Sequence, residues 1–318
     1  VIPTFGRERV LVETITHLLR QRPMAAEIVV VDQTPRHEGA TEEALATWEM
    51  KGQIRWLRLP KPSIPHAMNR GLMEATQPIV LFVDDDIVPS ERLVDAHWRN
   101  YSDDRIWAVV GQVRQPGQVP VDLPMRGTRS GIWADLDFPF NSRQRTTVWN
   151  CMAGNLSVRR DRAIGVGGFD ENFVAVAYRF ETEFARRLCR SGGIIQFDPA
   201  ASINHLQAAR GGTRTYANRL RSARPDHSIG EYYFALRQSP RGEALAYVAY
   251  QLLRRSCARY YLAHPWWLPV GVAGEIRGLL GAIRMTWQPQ RLIESGLLHG
   301  KKGEKPVAIP GEFYDRKH

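Results

Sequence analysis

Residues 79–89 read I-V-L-F-V-D-D-D-I-V-P, five apolar residues running straight into three consecutive carboxylates. The run Ile79–Val83 is rich in β-branched residues and bounded by polar ones, the pattern of a short buried strand. Asp84, Asp85 and Asp86 follow at its carboxyl end. Adjacent carboxylates repel one another, so burying them calls for a counter-charge, most simply a divalent cation. In extended chain residues i and i+2 point the same way. Asp84 and Asp86 can therefore share an ion while Asp85 turns elsewhere. The competing reading is a solvated acidic turn capping the next helix, and the strand-end position weighs against it.

The pattern repeats on both sides of this run. Short β-branched stretches recur at Val1–Pro3, Glu27–Val31, Gln53–Leu57 and Ile106–Val113, with Pro78–Val83 among them. Helix-period stretches separate them at Glu8–Arg20, Thr41–Glu49, Pro65–Ala75 and Glu91–Tyr101. Strands alternating with helices predict an α/β fold, a mainly parallel sheet flanked by helices. Ligands of such sheets bind beyond the carboxyl ends of the strands. Thr4, Asp32 and the Asp84–Asp86 triplet all fall at that edge. A loop-like stretch from Arg114 to Arg145 follows, then strands at Asn155–Val158, Ile194–Phe197 and Ala201–His205 around a helix at Glu181–Cys189. After Gly211-Gly212 the strands stop. Helices are expected at Ile229–Arg237, Glu243–Tyr261 and Val270–Trp287. The organisation predicted is an α/β domain over 1–210 and a basic helical region over 211–318.

Charge follows the same division. The 318 residues carry a net charge of +10, with 43% apolar and 24% charged residues, which excludes a disordered or collagen-like chain. Residues 1–200 are electrically balanced, so the excess lies wholly in the last 118 residues. Only six of the 43 basic residues are Lys. Cys151, Cys189 and Cys257 are scattered and form no zinc or disulfide pattern, which fits a reducing cytoplasm. No run is long and apolar enough for a transmembrane helix. The chain opens inside a strand-like run, so further residues are expected before Val1.

At this point the chain resembles the family 2 glycosyltransferases of the GT-A fold, over roughly residues 1–215. The segments that carry the likeness are V-I-P-T-F-G-R (1–7), I-V-V-V-D (28–32), A-M-N-R-G (67–71) and L-F-V-D-D-D-I-V-P (81–89). They continue as G-N-L-S-V-R-R (154–160), G-G-F-D-E-N-F (167–173), F-E-T-E-F-A-R-R-L (180–188) and F-D-P-A-A-S-I-N-H (197–205). Eight segments in order make the resemblance specific. It implies a metal-dependent, inverting transfer of a sugar from a nucleotide-diphosphate donor (UDP, dTDP or GDP type) to a saccharide or polyprenol-linked acceptor.

The resemblance also implies roles. Pro3, Thr4, Arg7 and Asp32 would hold the nucleotide, with Asn69, Asp84, Asp85 and Arg214, the last in the glycine-rich segment Gly211–Arg214. Met68 stands where the family carries Arg, leaving Arg70 or Lys61 as substitutes. Asp84 and Asp86 match the DxD motif for Mn²⁺ or Mg²⁺, and His205 would join them, a nitrogen donor that favours Mn²⁺. Glu181 falls at the position of the general base, with Phe180 displacing an acidic residue and Glu183 as fallback; helix-start stabilisation is the competing reading of both. On the acceptor side, Trp149 offers an aromatic face and Asn155 a polar contact. Asn155-Leu156-Ser157 is a glycosylation sequon by coincidence, because it sits in a predicted buried strand. A catalytically silent sugar-nucleotide-binding or scaffold protein is the alternative, motivated by Met68 and Phe180.

The basic region has its own pattern. Arg254, Arg255 and Arg259 lie among Tyr247, Tyr250, Tyr260, Tyr261, Trp266 and Trp267. Arg beside Trp and Tyr suits an anionic membrane interface, and so a peripheral place on the inner face of the membrane. A helix packed on the α/β domain with its Arg in water is the competing reading. No nucleic-acid-binding motif accompanies the charge.

Overall fold

In the computed structural model, which describes residues 1–122, 130–213 and 219–294, the β-branched runs become strands and the amphipathic stretches cover them. The first part of the chain runs β1 (Ile2–Thr4), α1 (Arg9–Leu19), β2 (Val29–Asp32), α2 (Gly39–Met50), β3 (Arg55–Arg58), α3 (Ile64–Glu74), β4 (Ile79–Val83), β5 (Ile87–Pro89), α4 (Leu93–Trp98) and β6 (Ile106–Arg114). It continues through β7 (Thr146–Val148), β8 (Asn155–Arg159), α5 (Arg160–Gly165), α6 (Phe180–Arg190) and β9 (Ile194–His205). Among the described residues four α-helices follow: α7 (Ser228–Gln238), α8 (Arg241–Ser256), α9 (Arg259–Ala263) and α10 (Leu268–Thr286). Among the described residues no helix is long and apolar enough to cross a membrane.

Strands β1, β2 and β3 are parallel, as the alternation predicts. Val1 extends this sheet: its nitrogen donates to Leu81 O, and Val83 N–H donates to Val1 O, the parallel pattern. Beyond β4 the order is β8, β6, β9 and β5, and here the expectation of a mainly parallel sheet is corrected. Strand β8 runs antiparallel to both β4 and β6, and β5 and β7 antiparallel to β9; only β6 and β9 are parallel. Among the described residues no α-helix lies between β6 and β7, so no helical crossover sets the direction of β8.

Two predicted strands are one. Between Gly111↔Asp198 and Gln112↔Ser202 the pairing of β6 with β9 skips three residues of β9, so Ile194–His205 is a single bulged strand. The predicted helix Glu91–Tyr101 is α4 followed by a 3₁₀ turn at Arg99–Ser102. Helix α8 ends at Ser256, short of Tyr261, and α9 resumes the chain so that Tyr261 turns inward while Leu262 stays out.

Phe169, Phe173, Phe180, Phe184 and Phe197 fill the main core, joined by Tyr232, Tyr233 and Phe234 of α7, Tyr247 of α8 and Ala282 of α10. Residue 210 thus marks the end of the strands and not the end of the core. The stretch after β6 also closes on these helices: Trp133 packs on Tyr247 and Tyr250, and Glu243 accepts the Ile132 N–H at 2.8 Å.

Candidate active site

Strands β1 and β4 end side by side, and the bulge in β9 brings its last residue beside β5, with Ile87 opposite His205. The Asp84–Asp86 turn therefore lies between two strand ends. Potential ligand atoms of Asp84, Asp86 and His205 lie within 4.8 Å of one another. His205 Nε2 is 3.2 Å from Asp86 Oδ1 and 3.5 Å from Asp84 Oδ2. Its Nδ1 faces Gln115 Oε1 at 3.0 Å, which fixes the ring so that Nε2 points at the carboxylates. Burial alone would lower the His205 pKa, but Asp86 and Asp84 outweigh it and raise it.

Asp85 turns the other way, onto Arg7. The Arg7 guanidinium lies 3.1 Å from Asp85 Oδ1 and 3.2 Å from Asp86 Oδ2, and donates to the carbonyls of Ala208 (2.8 Å) and Arg210. Burial pushes the Asp85 carboxyl up to about 7, against the pull of Arg7. Arg7 so ties the carboxylate turn to the chain beyond β9. Gly212 N–H donates to Phe5 O at 2.6 Å, and a Cβ on Gly211 would stand 2.2 Å from Gly6 O. The glycines of 211–212, both with positive φ, let this segment lie on the β1 loop. Arg214 lies outside the described residues.

These parts surround a cleft of about 190 Å³. Pro3, Thr4, Arg7, the three aspartates, His205 and Glu181 line it. Glu181 occupies the first turn of α6, half-buried, and its Oε1 accepts the Ala153 N–H at 3.2 Å. Phe180 points into the core, so its departure from the family's acidic residue leaves the cleft untouched. Four carboxylates face Arg7 and one imidazole here. An anionic diphosphate would be repelled unless a cation joined it, and two carboxylates with one imidazole suit Mn²⁺ well.

Several expectations are corrected. Asn69 does not face the cleft: it donates to Phe169 O and Glu171 Oε1 and accepts the Phe169 N–H, clamping α3 to the turn before α6. Met68 and Ile64 present an apolar wall in its place; Arg70 pairs with Glu74, and neither it nor Lys61 lines the cleft. Asp32 is buried at the end of β2, where His37 Nε2 (2.8 Å), Trp56 Nε1 (2.9 Å) and the Thr34 N–H (2.8 Å) occupy its oxygens. Its neighbour Gln33 lines the cleft instead. Asn155 is fully buried in β8, donating to Gln112 O and Ala201 O and accepting from His97, so it meets no acceptor. Glu183 is fully buried and held by Arg187, Gln238 and Gln290, which removes it as a base. Trp149 is half-exposed with Arg186 over its ring at 6.0 Å, and lies outside the residues lining the cleft.

Sequence reasoning missed Gln33, Gln115, Met152 and Gly154. Gln33 had a signal, since it directly follows the predicted strand end. A Cβ at Gly154 would stand 2.2 Å from Asp84 Oδ2, a steric demand invisible before the strands are placed.

Comparison with known proteins agrees with the fold. The model of glycosyl transferase family 2 matches residues 1–165, more than half of the chain. The chain belongs to glycosyltransferase family 2. Among curated proteins no sequence match is found. Similar solved structures include GalNAc-T7 with UDP, GalNAc and Mn²⁺ (13% identity, TM-score 0.55), matched over 74% of this chain and 47% of that one. The mannosyltransferase PcManGT from Pyrobaculum calidifontis, in complex with GDP-Man and Mn²⁺, matches at 19% identity and TM-score 0.53 over 90% and 77%. Residues 1–349 of S. aureus TarS match at 15% identity and TM-score 0.54 over 89% and 80%. The family 2 chain spans about half the length of the first of these. All are GT-A glycosyltransferases, and the shared fold is what these likenesses establish.

Proposed function

We propose that this family 2 enzyme transfers a sugar, with inversion, from a nucleotide-diphosphate donor of UDP, dTDP or GDP type to a hydroxyl of a saccharide or polyprenol-linked acceptor. The observation that carries the reading is the single cleft in which Glu181 stands with the Asp84–Asp86–His205 cluster. Pro3, Thr4 and Gln33 offer one wall to the nucleotide, and the 211–213 glycine segment the other. Glu181 Oε would take the acceptor proton as the acceptor oxygen bonds to the anomeric carbon. The bond from that carbon to the diphosphate breaks on the opposite face, and its electron pair leaves with the diphosphate. A divalent cation held by Asp84, Asp86 and His205, Mn²⁺ or Mg²⁺, would neutralise that leaving group. Trp149 remains the proposed acceptor platform. On this reading the enzyme works in the cytoplasm, at the inner face of the membrane.

A thermal-shift screen of UDP, GDP, dTDP and CMP with Mn²⁺ tests the donor half; one nucleotide stabilises the protein, and chelation or Asp86→Asn abolishes the shift. Glu181→Gln is expected to keep that shift while lowering transfer about 100-fold or more. Near-normal turnover in Glu181→Gln would remove Glu181 as the base. Nucleotide binding with neither hydrolysis nor transfer in the wild type would leave a silent binding protein.

A further inference from the structure

Among the described residues that line the cleft, none is an Arg or Lys from the last third, and part of its positive excess lies on the C-terminal helices. On α8, Leu245, Tyr250 and Leu253 are exposed, with Arg254 beside them. Helix α9 and the turn after it push Leu262 and Trp266 outward, 86% and 65% exposed, and Arg259 is exposed on the same short helix. On α10, Ile276 and Leu280 are exposed one turn apart with exposed Arg277 and Arg284 on the same helix, and Trp287 is exposed just past its end. The opposite side of α10 buries Gly271, Gly274, Gly278 and Ala282. From Ala244 to Ile293 the sequence holds six Arg and one acidic residue, Glu275. Glu275 is buried and paired with Arg255. The outward charge of this region therefore has one sign, and large apolar side chains stand between the cations.

We propose that α8, α9 and the start of α10 dock on an anionic lipid bilayer. Leu262 and Trp266 enter the headgroup layer, and Arg254 and Arg259 meet lipid phosphates. Each part of the pattern selects this occupant. A nucleic acid would satisfy the arginines but leave exposed Leu and Ile against phosphate and sugar. A second copy of the same face would set mainly arginine against arginine, with Asp137 near Arg254 as an exposed carboxylate to answer them. A bilayer interface takes both, apolar side chains below the phosphates and cations level with them. The docking itself rests on nothing in the cleft; only its link to a lipid-linked acceptor rests on the proposed transfer.

The test uses the full chain and sedimentation with vesicles of phosphatidylcholine alone or mixed with phosphatidylglycerol, at low ionic strength. The wild type is expected to sediment with the anionic vesicles only. Leu262→Ser/Trp266→Ser and Arg254→Gln/Arg259→Gln should each lower partitioning about tenfold or more, with the melting temperature and the Mn²⁺-dependent nucleotide shift unchanged. Equal partition onto neutral vesicles, or unchanged partition in both double variants, overturns the proposal. So does an oligonucleotide that displaces the protein from vesicles, or a dimer that the Leu262/Trp266 variant dissociates without losing vesicle binding. Absence of a nucleotide shift in the wild type would count against the transferase reading and leave the sedimentation result standing.

Discussion

Gly154 has no side chain because Asp84 occupies the space one would need, 2.2 Å from where a Cβ would stand. Gly154→Ala should therefore push the Asp84 carboxylate off its neighbours, and Mn²⁺-dependent nucleotide stabilisation should weaken about tenfold or more while the fold survives. A thermal shift with and without Mn²⁺ reads this directly. His97 makes a different prediction. It is buried between Asn155 Oδ1 and Ser157 Oγ, both at 2.8 Å, and burial lowers its pKa from 6.5 to about 4. Above pH 6.5 it is neutral folded or unfolded; below, the unfolded chain takes up the proton first. Stability should fall between pH 6.5 and 4 by about 3 kcal/mol from this group. Denaturant melts across that window should show a shallower slope in His97→Gln. At this scale Asp84 and Asp86 were legible from their place at a strand end, and His205 from the family resemblance. Asn69, Asn155 and Glu183 were not. Their polar atoms are consumed by Phe169, Ala201 and Gln238, partners 100, 46 and 55 residues away that no local pattern announces.

Elements were legible by period and illegible by direction. Alternation of two and of 3.6 placed β1 to β4 and α1 to α3 within a residue or two, but an apolar run reads the same in either direction. Strand β8 could not be seen as antiparallel, and β5 and β7, three residues each, were too short to announce themselves. The bulge in β9 had a trace in Asp198-Pro199, read as a break between strands rather than a bend within one. Helix α3 lines the cleft with Ile64 and Met68 and also holds it from behind. Through Asn69 it grips the turn at Phe169–Glu171, just ahead of the segment that leads into α6 and Glu181. Asn69→Ala leaves the Phe169 amide and carbonyl unpaired, and is expected to cost about 1–3 kcal/mol of stability with nucleotide affinity little changed. Denaturation and nucleotide titration of the same variant separate this from a role in the site.

For the whole molecule the sequence suggested two parts, and the core joins them. Tyr232, Tyr233 and Phe234 of α7 are fully buried among the phenylalanines that support α6. A chain ended at Thr213 should therefore lose cooperative unfolding and solubility rather than keep a folded catalytic domain, which calorimetry or a denaturant melt would show. Joining distant stretches is also what Arg7 does. It bridges Asp85 and Asp86 to the carbonyls of Ala208 and Arg210, contacts separated by 78 to 203 residues. Closing loops of that length is entropically slow and comes after local pairing. A folding intermediate can then own the sheet and its helices while the cluster is still open, with no cation affinity. Metal uptake during refolding should lag the return of secondary structure, making the ion a reporter of the last closure.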